Sequence, residues 1–252
     1  MAGYVDVRGV RTWYEEHGAG DPLLLLHGGM SDARHFAPNL EPLAARYRVF
    51  IPERRGHGHT PDVDGSLTFD LMAEDTIAFL EDVVGDGPAH LVGHSDGANV
   101  ALLVALRRPD LARRVVSISG NFHHGGLTPG VIDADAAVDT VDTGYGEVSP
   151  DGPAHLSVVA DKVRRMWAEE PTLTPAELAG ITAPTLVMAG DDDVITLEHT
   201  VELYRSLPNA ELAIVPGTSH LLIMEKPLLC NTLIVDYLTT DPVPTVLPIR
   251  RR

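Results

Sequence analysis

His90-Leu91-Val92-Gly93-His94-Ser95-Asp96-Gly97-Ala98 is the stretch on which the reading of this chain turns. A short apolar run, His90-Leu91-Val92, has the look of a buried strand. It ends at a glycine, and Ala98 to Arg107 resumes with helical spacing. A strand that passes directly into a helix doubles back sharply. The residue at the apex takes a strained backbone conformation that lifts its side chain clear of the sheet, and glycines on either side avoid the clash where the chain meets itself. The helix that follows points its positive end at the apex and favours negative charge there. G-x-S-x-G is a weak pattern alone. Set between a strand and a helix, it makes Ser95 a candidate nucleophile.

The same rhythm extends in both directions. Upstream, Val10 to Glu16 reads as a strand, Leu23 to Leu26 as a strand buried on both faces, Leu40 to Arg46 as a helix and Tyr47 to Ile51 as a strand. Phe69 to Val84 carries apolar residues at helical spacing, and Val115 to Ser119 is the strand after the elbow helix. From Asn121 to about Gly180 the chain turns rich in Gly, Pro, Asp and Thr, with one clear helix near Val158 to Glu169, and is too long for a simple connection. Strand and helix signals then return at Thr185 to Ala189, Leu197 to Ser206, Glu211 to Val215 and Lys226 to Tyr237. The expected organisation is an α/β core of residues 1–120 and 181–252, interrupted by a lid at 121–180. Val246 to Ile249 is a candidate edge strand.

A serine hydroxyl is a poor nucleophile at neutral pH and needs a base, which in turn needs an orienting acid. Of the twelve histidines only His199 and His220 follow the lid. His199 begins a helix and is expected to face solvent. His220 falls in the loop Pro216-Gly217-Thr218-Ser219-His220, after a strand, and is the expected base. For the acid, Asp191, Asp192 and Asp193 follow the strand Thr185 to Ala189, and three adjacent carboxylates cannot all face one imidazole. An oxyanion hole needs two backbone N–H groups. One is expected from Asp96, directly after the serine, and the other from the loop His27-Gly28-Gly29-Met30, with Gly29 favoured and Met30 the alternative.

Together these residues resemble the α/β-hydrolase superfamily over nearly the whole chain. The resemblance rests on His27-Gly28-Gly29, on Gly93-His94-Ser95-Asp96-Gly97 and on Glu53-Arg54-Arg55-Gly56-His57-Gly58-His59-Thr60. The last is similar to the family's D-x-R-G-x-G-x-S turn with Glu and Thr substituted. Gly190 to Asp193 resembles its acid turn, G-x-x-D, which selects Asp193, and Gly217-Thr218-Ser219-His220 resembles its histidine loop. The implied fold is a mostly parallel central sheet flanked by helices with a small lid. The implied activity is hydrolysis of a small-molecule carboxylic ester or lactone, without a cofactor. The order Ser, Asp, His is the one associated with this fold. The elbow Ser95-Asp96-Gly97 is similar to that of the valacyclovir hydrolase (biphenyl hydrolase-like) branch, which implies that Asp96 favours substrates with a nearby cation. Some proteins of this fold are slow-turnover ligand sensors that act through a partner, the alternative reading. Met30, Asn121, Phe122, His123, Trp167 and Leu221 are the candidate pocket residues.

Composition removes other classes. A net charge of −17 opposes a nucleic-acid partner, which requires a basic surface; Arg250-Arg251-Arg252 reads as a solvated tail. A single cysteine, Cys230, excludes an internal disulfide and a cysteine-based metal site and is expected in the core. His57-Gly58-His59 and His123-His124 lack the further ligands at helical spacing that a metal site needs, so no metal is expected. No apolar run is long enough to span a bilayer, and the first residues lack the pattern of a signal peptide, so a cytoplasmic location is expected. The sequence leaves oligomeric state open.

Overall fold

The apolar runs lie side by side in one sheet. The computed structural model describes residues 1–85, 87–130, 144–241 and 245–247. Among the described residues there are eight strands: β1 (Ala2–Val7), β2 (Val10–Gly18), β3 (Asp21–Leu26), β4 (Tyr47–Pro52), β5 (Ala89–His94), β6 (Ala112–Ile118), β7 (Thr185–Asp192) and β8 (Ala210–Ser219). Their order across the sheet is β1-β2-β4-β3-β5-β6-β7-β8. The pairs β1–β2 and β2–β4 are antiparallel and every other pair is parallel. The expected mostly parallel sheet is therefore present, with an antiparallel edge.

Leu23 to Leu26 shows why the centre of this sheet is stable. Strand side chains alternate between faces. Leu24 and Leu26 pack in one apolar layer with Phe50, Leu91, Phe69, Met72 and Val100, while Leu23 and Leu25 pack in the other with Val49, Ile51, Val92, Leu43 and Ile234. All four leucines are fully buried, each worth roughly 1.5–3 kcal/mol relative to exposure. The helices that supply the two covers are α1 (Ala37–Ala44), α2 (Phe69–Phe79), α3 (Asp96–Arg107), α4 (Leu156–Glu169), α5 (Leu197–Ser206) and α6 (Pro227–Thr239). Cys230 of α6 is buried in the second layer, as expected.

Several boundaries differ from the sequence reading. Strand β1 was not foreseen, because its residues alternate between exposed and half-buried and only Val7 is fully buried. The helix expected over Phe69 to Val84 divides into α2, whose first turn is capped by the Thr68 hydroxyl, and a π-turn over Leu80–Val84. Strand β8 runs on through Pro216 to Ser219, pairing with Asp192 after a shift in register, where a loop was expected.

Between β6 and β7 the chain makes its long excursion. Helix α4 is tied back to the body by Lys162, whose ammonium bonds both Asp62 oxygens at 2.7 and 2.9 Å, and by Glu170, which accepts from the Phe69 N–H at 2.8 Å. Part of the segment expected as a lid, residues 131–143, lies outside the described residues. Val246 and Leu247 form a bend and are not in a strand; residues 248–249 of that expected strand and Arg250 to Arg252 lie outside the description. Among the described residues, no helix is long and apolar enough to cross a membrane.

Candidate active site

In a mostly parallel sheet the ends of the strands leave side chains and loop backbone at one edge, where ligands bind. The C-terminal ends of β3, β5, β6, β7 and β8 lead here into His27-Gly28-Gly29, Ser95, Ser119, Asp193 and His220. Ser95 has φ 55° and ψ −120°, the strained apex anticipated for the elbow. The glycines are required by contact: a Cβ on Gly93 would lie 2.1 Å from the Gly97 carbonyl oxygen, and one on Gly97 would lie 2.0 Å from that of Leu26.

Three side chains from distant parts of the chain meet at this edge. His220 Nε2 lies 2.9 Å from Ser95 Oγ, and His220 Nδ1 lies 2.7 Å from Asp193 Oδ1. The carboxylate accepts, so Nδ1 carries the proton and Nε2 is free to accept the serine hydroxyl. Of the three adjacent carboxylates, only Asp193 reaches the imidazole; Asp191 instead accepts from the Thr218 N–H at 3.0 Å. Burial opposes ionisation of Asp193, but hydrogen bonds from His220, Ser119 and the Ile195 N–H outweigh it and hold the carboxyl below its usual range.

Two neighbours complete the arrangement that the sequence reading missed. Ser119 Oγ donates to Asp193 Oδ2 at 2.6 Å. His94 Nε2 donates to the His220 carbonyl at 2.7 Å, so this imidazole bears its proton on Nε2 and leaves a buried, unpartnered Nδ1. Burial first, then the nearby His35 and His220, keep His94 well below the ordinary histidine range. The only sequence signal for either was position: one at the end of β6, the other inside the elbow motif.

Asp96 opens α3, where backbone N–H groups have no intrahelical acceptor. Among the described residues neither its N–H nor that of Gly29 has an acceptor in the protein. Asp96 is 3% exposed. Its Oδ1 accepts from Trp167 Nε1 of α4 at 2.8 Å, while Oδ2 is buried without a partner. Burial raises its pKa, against the lowering influence of Arg54 and Trp167. A Cβ on Gly29 would fall 2.4 Å from Asp96 Oδ2 and 2.7 Å from Trp167 Cζ2, so only glycine fits beneath this pair. Met30 follows with φ 55° and packs against the first apolar layer.

The other candidate pocket residues have partners of their own. Asn121 exchanges hydrogen bonds with Asn99 at 2.8 and 2.9 Å and reaches the His123 carbonyl. Phe122 is buried in the first layer. His123 accepts from the Gly125 N–H and stacks on His124. Leu221 is 40% exposed. His199 corrects the expectation of a solvent-facing residue. It is 8% exposed, stacks on Phe122 at 4.0 Å, and its Nε2 accepts the Phe122 N–H at 3.2 Å. The segment after β6 folds over the start of α5, and burial then holds this histidine near 4. Among the described residues, no group of three or more His, Cys, Asp or Glu side chains is placed to hold a metal. Glu53 occupies the acid position of the turn after β4, accepting from Ala33 and His59 N–H groups, and Thr60 bonds its carbonyl. The substituted turn thus closes on itself.

A sheet of this order, with a serine elbow after β5 and an Asp–His pair from the loops after β7 and β8, defines an α/β-hydrolase. The chain belongs to the alpha/beta hydrolase family, whose profile matches residues 23–231, and it is a hydrolase. A relative from Acinetobacter baylyi, (E)-2-((N-methylformamido)methylene)succinate hydrolase, is 23% identical, covering 91% of this chain and 94% of its own. A Stutzerimonas stutzeri protein named as a carbamate hydrolase, RutD, is 28% identical, covering 89% of this chain and 96% of its own. The crystal structure of the enol-lactonase from Burkholderia xenovorans superposes with a TM-score of 0.77 at 22% identity, over 94% of this chain and 100% of that one. That likeness is one of fold.

Proposed function

We propose that the protein is a serine hydrolase that cleaves a small-molecule carboxylic ester or lactone through an acyl-enzyme on Ser95. The observation that carries this reading is the continuous relay from Ser95 Oγ through His220 to Asp193, at 2.9 and 2.7 Å. In the first step Ser95 Oγ attacks the carbonyl carbon while its proton passes to His220 Nε2. Asp193 holds the imidazole in the required tautomer and stabilises the imidazolium. The Gly29 and Asp96 N–H groups receive the developing oxyanion, each donor of this kind being worth about 2.7–4 kcal/mol. Collapse breaks the bond to the leaving oxygen, which takes the proton from His220. Water then repeats the sequence, giving its proton to His220 and its oxygen to the acyl carbon; the bond to Ser95 Oγ breaks, and the serine takes the proton back from His220. Each step uses the chain's own groups and needs no cofactor.

Two relatives are named as hydrolases of nitrogen-bearing compounds, one of them of a carbamate. A substrate panel of esters, lactones, carbamates and amides distinguishes the ester or lactone preference from these chemistries. The excursion between β6 and β7 acts as a lid, with Trp167 as its contact to the elbow. The biphenyl hydrolase-like branch rests on Ser95-Asp96-Gly97 alone, and the Asp96 carboxyl meets a substrate cation only if Trp167 gives way.

The test is a turnover count on short and medium p-nitrophenyl esters and on lactones. Many equivalents of product per protein, abolished in Ser95→Ala, and an acyl adduct on Ser95 by intact mass, are expected. Activity retained by Ser95→Ala would refute the proposal, and a single burst without turnover would favour a ligand sensor.

A further inference from the structure

Arg54 is an unusual residue to find where it lies. It is 6% exposed, and its Nε and Nη1 are buried without hydrogen-bond partners. Among the described residues no carboxylate is in ion-pair contact with it. A buried guanidinium without a contacting counterion is costly to a fold. Burial duly pulls its pKa down to about 10, with Asp96 opposing. A side chain kept at such a cost needs a purpose beyond packing.

Its bonded nitrogen shows where that purpose lies. Arg54 Nη2 donates to the Gly28 carbonyl at 2.9 Å, and His27 Nδ1 donates to the same oxygen at 2.8 Å. The backbone N–H of Arg54 donates to His27 Nε2 at 3.2 Å, which fixes the His27 proton on Nδ1. The Gly28 C=O and the Gly29 N–H belong to one planar peptide, so anchoring the oxygen fixes the direction of the N–H. Glycine on both sides makes this peptide the easiest in the loop to rotate. Glycine is also imposed at 29 by Asp96 and Trp167, and at 28 a Cβ would lie 3.2 Å from His94 Nδ1. Two successive glycines give this peptide no side chain of its own to restrain it. The restraint comes instead from the neighbouring His27 and from Arg54 across the edge.

We propose that Arg54 is a positioning residue for catalysis, clamping the Gly28–Gly29 peptide together with His27 so that the Gly29 N–H stays aimed at the reacting oxygen. A charge-assisted bond to the carbonyl also polarises the peptide and makes its N–H a stronger donor. The inference rests on the proposed acyl-enzyme mechanism, in which Gly29 is an oxyanion donor.

The experiment compares wild type with Arg54→Met, which preserves length and apolar packing, and Arg54→Lys, whose ammonium retains a charged donor. The readouts are kcat and KM on a p-nitrophenyl ester, affinity for an aryl trifluoromethyl ketone that forms a hemiketal oxyanion with serine, and melting temperature. Arg54→Met is expected to lower kcat about 10- to 100-fold with KM changed less than about threefold, following the size of oxyanion-donor effects. Ketone affinity should fall by a similar factor, and Arg54→Lys should recover part of both. Unchanged ketone affinity in a folded Arg54→Met overturns the inference, as does a loss of activity that tracks melting temperature alone. If Arg54→Met does not fold, Arg54→Gln takes its place in the same comparison. Failure of the underlying mechanism shows separately, as wild-type protein that forms no ketone adduct or as turnover that survives Ser95→Ala, and either result removes the Arg54 inference with it.

Discussion

Ser119 Oγ sits 2.6 Å from Asp193 Oδ2, the carboxylate oxygen that His220 does not use. The two oxygens of Asp193 are thus held from opposite sides, Oδ1 by the imidazole and the Ile195 N–H and Oδ2 by the hydroxyl. Ser119 itself is fixed by its backbone, with φ 51° and its N–H bonded to the Met188 carbonyl at 2.7 Å. Hydrogen bonds to a charged group contribute about 1.5–3 kcal/mol. Ser119→Ala is accordingly expected to lower kcat by roughly ten- to a hundredfold, with KM little changed, because the acid loses one of its anchors. Steady-state kinetics on a neutral ester tests this; a KM effect alone would show that Ser119 serves substrate binding instead.

His94 holds the histidine loop from beneath through its bond to the His220 carbonyl, 2.7 Å long. Phenylalanine at 94 keeps the ring and removes the donor. The expected cost is up to about tenfold in kcat, the scale of a neutral hydrogen bond. Glutamine, whose terminal amide extends as far as the imidazole Nε2, should restore much of it. Equal activities for His94→Phe and His94→Gln would assign the residue to packing alone.

Acid should unfold this protein early. His35, His57, His90 and His199 are lowered to about 4, and His27 and His94 fall well below the ordinary range, all of them chiefly by burial. A base whose pKa is lower in the folded than in the unfolded state binds fewer protons when folded. Stability is therefore lost as pH falls below about 6.5, and the loss continues down to the folded-state values near 4. Glu53, Asp96 and Glu170, raised by burial, act in the opposite direction, and three groups do not offset six. Each unopposed histidine contributes at most about 1.4 kcal/mol per pH unit. The melting temperature should fall steadily from pH 7 to pH 5, with proton uptake on unfolding measurable by calorimetry in buffers of different ionisation enthalpy. A flat melting temperature across that range is the contrary result.

What the sequence made legible was whatever depended on periodicity or on a contiguous motif. The buried run Leu23 to Leu26, the strand–elbow–helix passage around Ser95 and the order of the later elements all follow from local pattern. The meeting of Ser95, Asp193 and His220 also emerged, because each side chain ends or follows a strand at the same edge of one sheet. Interactions made across that edge by ordinary residues did not emerge. Ser119, His94 and Arg54 gain their roles only from neighbours 26 to 126 positions away. His199 was misjudged for the same reason: helical spacing places it on a helix, but the cover of Phe122 over its ring comes from a loop.

The bond between Asp96 and Trp167 bears on the cation preference that the elbow resemblance implies. The elbow resemblance implies a carboxylate that receives a substrate cation, whereas here Oδ1 is bonded to the indole N–H at 2.8 Å and the residue is 3% exposed. A charged substrate group would have to displace the indole and repay the desolvation of both partners. In its present setting Asp96 is an acceptor for the indole of α4, and an amide oxygen serves that purpose as well as a carboxylate. Asp96→Asn is therefore expected to change kcat/KM on matched amino and non-amino esters by the same factor, within about threefold of wild type, while Asp96→Ala and Trp167→Phe lower both by about tenfold through loss of a hydrogen bond. Indole fluorescence gives an independent reading, because Trp167 should become more mobile in Asp96→Ala and not in Asp96→Asn. A loss in Asp96→Asn confined to the amino ester would instead mean that the lid opens to admit the cation and that the indole only occupies its place in the resting protein.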